Sequence, residues 1–258
     1  METLDLEPLL VGFLVFARMS ALLMSLPVTG NRGVPMMLRM AIALPMAAVL
    51  YPTVEGAAVP NTIPMLATAV VCEVILGVAM GFVVSMLTGA VAIASEILAS
   101  TIGLSMASML DPMTGSQGST LGALAQVLAT GVFFTMDIHL GCVRALGDSL
   151  QTLPPGQLMA PLGAGEVVIE VASNVLTLGV RLAAPLMFFS LMVNFALMVL
   201  GRMAPGLQLF FSIGTSFTVI AGILLLGSAL PALLHVEAIE LAGSFDLMRR
   251  VVASMSGG

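Results

Sequence analysis

Six ionisable side chains, Glu73, Glu96, Asp137, Arg144, Glu170 and Arg181, sit within or at the edges of strongly apolar stretches. An ion at the centre of a membrane helix costs roughly 2.5–3.5 kcal/mol, and several left facing lipid would cancel the roughly 5–15 kcal/mol that holds a fold together. They are expected to face protein or water. Asp137, Gly141, Arg144 and Asp148 follow i, i+4, i+7 and i+11, and Glu170, Asn174, Thr177 and Arg181 repeat that spacing, so each set shares one helical face. Both faces carry both signs. They suit either a hydrated channel wall or proton relay, or ion pairing across helices that fixes assembly. Pairing, with Asp137–Arg144 and Glu170–Arg181 as candidates, is the simpler reading. Asn194, in the run FSLMVNFALM, is expected to hydrogen-bond a neighbouring helix rather than bind an ion.

Other chemistry finds little support. Ser105 or Ser116 with His139 could be imagined as a serine protease, but neither serine stands in a nucleophile motif, so the chain is not expected to be an enzyme. Cys72 and Cys142 lie in apolar segments without metal-ligand spacing, as small core residues do. No metal, cofactor or disulfide framework is implied. A nucleotide-binding loop is excluded, because neither GxxxxGK[ST] nor any lysine occurs. The cations are 8 arginines that form no basic stripe, so no nucleic-acid partner is expected.

The elements that must position these residues are membrane-length. Apolar residues make up 59% of the 258, charged residues 9%, and the mean hydropathy is +1.13, which places the chain among multi-span membrane proteins. About 20 apolar residues cross a bilayer. The stretches that qualify are Leu9–Pro27, Val34–Leu50, Ile63–Leu87 with an extension to Met109, Leu121–Leu150, Val167–Leu200 and Leu207–Leu234. They predict an all-α polytopic fold of about six long segments arranged as hairpins, with Arg18–Pro35 and Leu197–Leu209 reading as hairpin turns. The acidic opening METLDLEP is unlike a signal peptide, so the first segment is expected to be retained. Arg32, Arg39 and Arg202 fall on one side and Arg249 and Arg250 on the other, a divided vote on orientation.

Two features stand out within these segments. Gly77, Gly81, Ser85 and Gly89 recur every four residues, and Ser95, Ala99, Gly103 and Ala107 continue the habit, predicting seams where another helix approaches closely. The run MLDPMTGSQGSTLG at 109–122 is the other, a polar interruption in which Asp111-Pro112 stops a helix while Gly115 and Gly118 free the backbone to turn. Most of the 21 methionines read as adaptable core filler. Met106, Met109 and Met113 flank or occupy the loop and are singled out.

The stretch GLSMASMLDPMTGSQGSTLGALAQVLATGVFFTMDIHLGCVRALGDSLQTLPPG resembles the central region of the FliR/SctT family of type III export-gate membrane proteins. FLVFARMSALLMSLPVTGNRGVP and AAPLMFFSLMVNFALMVLGRMAPGLQLFFSIG fall in the family's order, so the resemblance covers nearly the whole chain. Its most specific elements are Asp111-Pro112-x-Thr114-Gly115-x-Gln117, Leu121-Gly122, and Asp137-x-His139 followed by Ala145-Leu146-x-Asp148-Ser149 and Leu153-Pro154. The injectisome relatives share less of that last block. The resemblance implies a core subunit of the flagellar export gate in the bacterial inner membrane, at the basal body. It implies FliP-like and FliQ-like partners, contacts with FlhB and FlhA, and passage of unfolded flagellar proteins. It further implies a single domain whose residues 1–150 are FliP-like and 151–258 FliQ-like. Met106, Met109, Leu110, Asp111, Pro112, Met113, Thr114, Gly115, Ser116, Gln117 and Gly118 would form a plug or gating loop. An autonomous secondary transporter is the rival, disfavoured because the Gly/Pro breaks lie between apolar segments and not within them.

Overall fold

The computed structural model describes residues 6–30, 34–57, 62–101, 120–157, 162–203 and 208–255. These are helical, with no strand among them. The helices are α1 (Glu7–Ser25), α2 (Met36–Leu50), α3 (Ile63–Thr101), α4 (Thr120–Thr135), α5 (Ile138–Thr152), α6 (Leu162–Met203) and α7 (Gln208–Met255), with a 3-10 turn at Tyr51–Thr53. The all-α polytopic class expected from hydropathy is the one observed. Among the described residues, α1, α2 with its 3-10 turn, and α3 are each long and apolar enough to cross a membrane. The bent pairs Gln126–Thr135 with Ile138–Thr152 and Ile169–Pro185 with Met187–Ala196 bring the total to 5.

Helix ends follow local chemistry. Pro8 occupies the first turn of α1, where its missing N–H is no loss, and Glu7 complements the helix dipole there. Leu26 then turns extended at φ −66°, ψ 146°, because a residue before proline disfavours helix. Leu153, before Pro154, likewise leaves helical geometry at the end of α5, at φ −132°, ψ 85°. The 121–150 stretch, read as one segment, is instead broken: α4 and α5 meet at a 63° bend. Asp137 sits at that bend with φ 54°, the one non-glycine residue at positive φ among the described residues. No proline or glycine marks the break, so the pattern of apolar residues runs straight through it.

The chain divides into two compact units that interleave in sequence. One comprises residues 1–87, 133–173 and 240–258, the other 88–132 and 174–239. Residue 150, where the FliP-like part is expected to end, lies within α5, and both units draw on residues before and after it.

In the first unit α1 packs on α2 and lies along α3 at Gly77 and Gly81. A Cβ on Gly77 would overlap the Arg18 carbonyl oxygen and come within 2.8 Å of Ala21 Cβ, and one on Gly81 within 2.7 Å of the Leu22 oxygen. Close approach of two backbones is what small residues permit, and here the approaching helix belongs to the same chain. Leu14, Val15, Met19 and Leu22 from α1, Leu76, Met80, Val83 and Val84 from α3, Cys142, Leu146 and Leu150 from α5, and Leu241, Met248 and Val251 from α7 form its buried apolar set.

In the second unit the end of α3 meets α6 through small residues. Ala94 and Ala183 are fully buried against each other's helix, flanked by Ile97 and Met187. A Cβ on Gly179 would touch Ile93 at 3.0 Å.

Candidate functional site

Arg18 stands in the run FLVFARMSALLMS, and α1 turns it fully inward, with no solvent exposure. Its Nε donates to Glu73 Oε2 of α3 at 2.5 Å. Nη1 donates to Ser149 Oγ of α5 at 3.2 Å, and Nη2 to the Leu153 carbonyl at 3.0 Å. Glu73 is also 0% exposed, and its other oxygen accepts the Gly156 N–H at 3.2 Å. Gly156 has φ 87°, a conformation that glycine adopts without strain, and that turn aims its N–H at the carboxylate.

Each partner in this network has a physical reason. The carbonyl of Leu153 and the hydroxyl of Ser149 lie at the C-terminal end of α5, where carbonyls lack intrahelical donors and a cation is favoured by the dipole. Ser149 accepts from Arg18 while donating to Leu146 O at 2.7 Å. An arginine suits the position because its planar fork reaches three acceptors on two helices, which a lysine ammonium on a single stem would not hold in this geometry. A buried ion pair persists only when its remaining donors and acceptors are met. The network is charge-neutral and joins α1, α3, α5 and the turn after α5. It fixes these elements in register.

Of the two surroundings the sequence allows Glu73, protein or water, the structure shows protein, and nothing in the sequence names Arg18 as its partner. The signal available was an arginine in mid-segment of the first apolar run, but nothing in periodicity links it to a glutamate 55 residues away.

The two predicted charge stripes are rearranged. Asp137 precedes α5 at the bend, and Gly141 faces α7, where a Cβ would run into the Phe245 ring. Asp148 pairs with Arg249 of α7 at 3.4 Å, and Glu170 pairs with Arg250 at 3.2 Å. Arg250 thus stands where spacing suggested Arg181 as the partner of Glu170, and neither candidate pair, Asp137–Arg144 or Glu170–Arg181, forms among the described residues. Asp137, Arg144, Asn174 and Arg181 are exposed. Glu96, Thr177 and Asn194 are exposed and engaged in interactions. Of the seam, Gly77 and Gly81 lie against α1, Ser85 is half-buried and bonded, and Gly89 has no neighbour near its Cβ position among the described residues.

His139 packs against Phe134 with ring centroids 5.3 Å apart, and its buried Nδ1 has no hydrogen-bond partner among the described residues. Among the described residues no three His, Cys, Asp or Glu side chains cluster as a metal site would require. The predicted plug residues Met106, Met109, Leu110, Asp111, Pro112, Met113, Thr114, Gly115, Ser116, Gln117 and Gly118 lie outside the described residues.

Long apolar helices, bent spans and the buried, charge-neutral Arg18–Glu73 pair define a polytopic helical membrane protein. Residues 9–242 match the family described as bacterial export proteins, family 1, and the chain belongs to that family. It is 30% identical over 222 residues to the flagellar biosynthetic protein FliR of Caulobacter vibrioides, covering 85% of this chain and 88% of that one. Against FliR of Escherichia coli K12 the identity is 30% over 214 residues, 83% and 82% of the two chains. The Yop proteins translocation protein T of Yersinia pestis is 30% identical over 210 residues, 79% of this chain and 80% of its own.

Proposed function

We propose that this chain is a membrane subunit of a flagellar type III export gate, building a channel with FliP-like and FliQ-like subunits through which unfolded flagellar proteins leave the cell. It sits in the inner membrane at the flagellar basal body and adjoins FlhB and FlhA. The observation that carries the reading is the family match over residues 9–242, with flagellar FliR relatives at 30% identity. Exposed apolar surface supports it. Met37 is 87% exposed, Ile63 84% and Val49 74%, more than a soluble surface would leave open and suited to lipid or subunit neighbours.

The injectisome is a second reading, favoured by the similarity to the Yersinia translocation protein. In either system the segment 110–118 is the gating plug, and residues 1–150 and 151–258 are the FliP-like and FliQ-like parts. Purification of the tagged chain from its own membranes in mild detergent, with identification of co-eluting proteins, tests the reading. FliP-like and FliQ-like subunits are expected. A chain that elutes alone and moves a solute across liposomes would replace the reading with that of a transporter.

A further inference from the structure

At the bend between α4 and α5, the residues that face outward form a mixed strip. Asp137 is exposed, Leu140 is 46% exposed, and Arg144 is exposed one turn further on. Positions i, i+3 and i+7 share one helical face. Phe134 and Met136, each 46% exposed, border it. Neither Asp137 nor Arg144 forms an ion pair among the described residues, although the other exposed acids nearby, Asp148 and Glu170, both find arginines within the chain.

This strip suits neither lipid nor water. Two unpaired ions on a bent pair apolar enough to cross a membrane are costly against hydrocarbon, and three half-exposed apolar side chains are poorly placed in water. A protein surface satisfies both. The backbone adds a separate point: Asp137 holds φ 54° with no hydrogen bond from its own side chain to the start of α5. Aspartate is among the few non-glycine residues that adopt this conformation readily, and here its carboxylate is not used to cap the helix it precedes.

We infer that Asp137, Leu140 and Arg144 form a docking strip for a helix of another subunit of the assembly. That helix would present a basic residue to Asp137, an apolar one to Leu140 and an acidic one to Arg144. Its charges would lie about 10 Å apart, the rise of seven helical residues. The inference rests on the proposed membership in a multi-subunit export gate.

The test places a photo-reactive amino acid at position 140 in the full chain expressed in its own membranes. In parallel, Asp137→Asn combined with Arg144→Gln is scored for complex yield. The expected result is a cross-link from position 140 to one integral subunit of the complex, and a loss of complex of roughly ten-fold or more for the double variant. Its level in the membrane should be unchanged, since neither charge forms an ion pair among the described residues. Asp137→Gly, which relaxes the turn, should lose complex as Asp137→Asn does. Wild-type complex yield from the double variant, or cross-links from position 140 to lipid only, would overturn the inference. If the known gate subunits co-purify and position 140 still captures none of them, the strip is refuted while the proposed function stands. If none co-purify, the function itself fails.

Discussion

Arg18 and Glu73 meet face to face between α1 and α3 with neither side chain reaching solvent. Breaking one partner of such a pair strands a buried charge, at a cost of about 3–5 kcal/mol, whereas replacing both with apolar residues of similar size is often close to neutral. Arg18→Met and Glu73→Met should therefore each lower the chain's level in the membrane and its thermal midpoint sharply. The double variant should recover a large part of both. Arg18→Lys should behave nearly as badly as Arg18→Met, since it cannot keep the bonds to Ser149 and Leu153 together with that to Glu73. Equal loss in the single and double variants, measured by thermal unfolding in detergent, would mean that the pair does not act as a unit.

The close contact of α1 with α3 sets apart two glycines that look alike in sequence. Gly77→Leu should destabilise by at least the 1–3 kcal/mol typical of overpacking, because even a Cβ there meets backbone of α1. Gly89→Ala meets nothing within 4 Å among the described residues and should be neutral or stabilising by up to about 1 kcal/mol, the gain in helix propensity. Thermal midpoints of the two variants make the comparison; a larger loss from Gly89→Ala would contradict it.

How much of this was legible depends on which link of the argument is asked about. Glu73 in an apolar run declares that it needs a partner, and the spacing of Gly77 and Gly81 declares a close approach. Neither names the neighbour, because which helices meet is decided by tertiary packing and not by periodicity. The bend at Asp137 was hidden for a different reason. A single left-handed residue breaks the helix without altering the apolar pattern on either side. Arg249 and Arg250 gave no sign of facing Asp148 and Glu170, since the register of α7 beside α5 is set by packing such as that of Gly141 on Phe245.

The surface ion pairs should matter little to stability. In Arg249–Asp148 the side chains are 67% and 56% exposed, and in Arg250–Glu170 they are 55% and 50% exposed. Pairs of this kind contribute about 0–1 kcal/mol. Arg249→Gln and Arg250→Gln should leave the thermal midpoint within about 4 °C of the parent. A collapse of either variant would show that residues 240–255 of α7 are held in the first unit mainly by charge.

Segment 110–118 carries the gating proposal. Replacing residues 111–118 with a short Gly/Ser connection should leave the complex assembled but make the membrane permeable to ions and small solutes, with Met109 and Met113 contributing the apolar part of the seal. Membrane conductance and growth under salt stress are the readouts. Unchanged permeability in a complex shown to be intact would make the segment a connector and move the gate to another subunit.

Export itself is the most direct test of the central claim. In a strain lacking this chain, flagellar subunits in the culture medium should fall to background while their synthesis inside the cell continues. The wild-type chain should restore their release, and the Asp137→Asn, Arg144→Gln variant should fail to do so. Undiminished release of flagellar subunits without the chain would contradict the account.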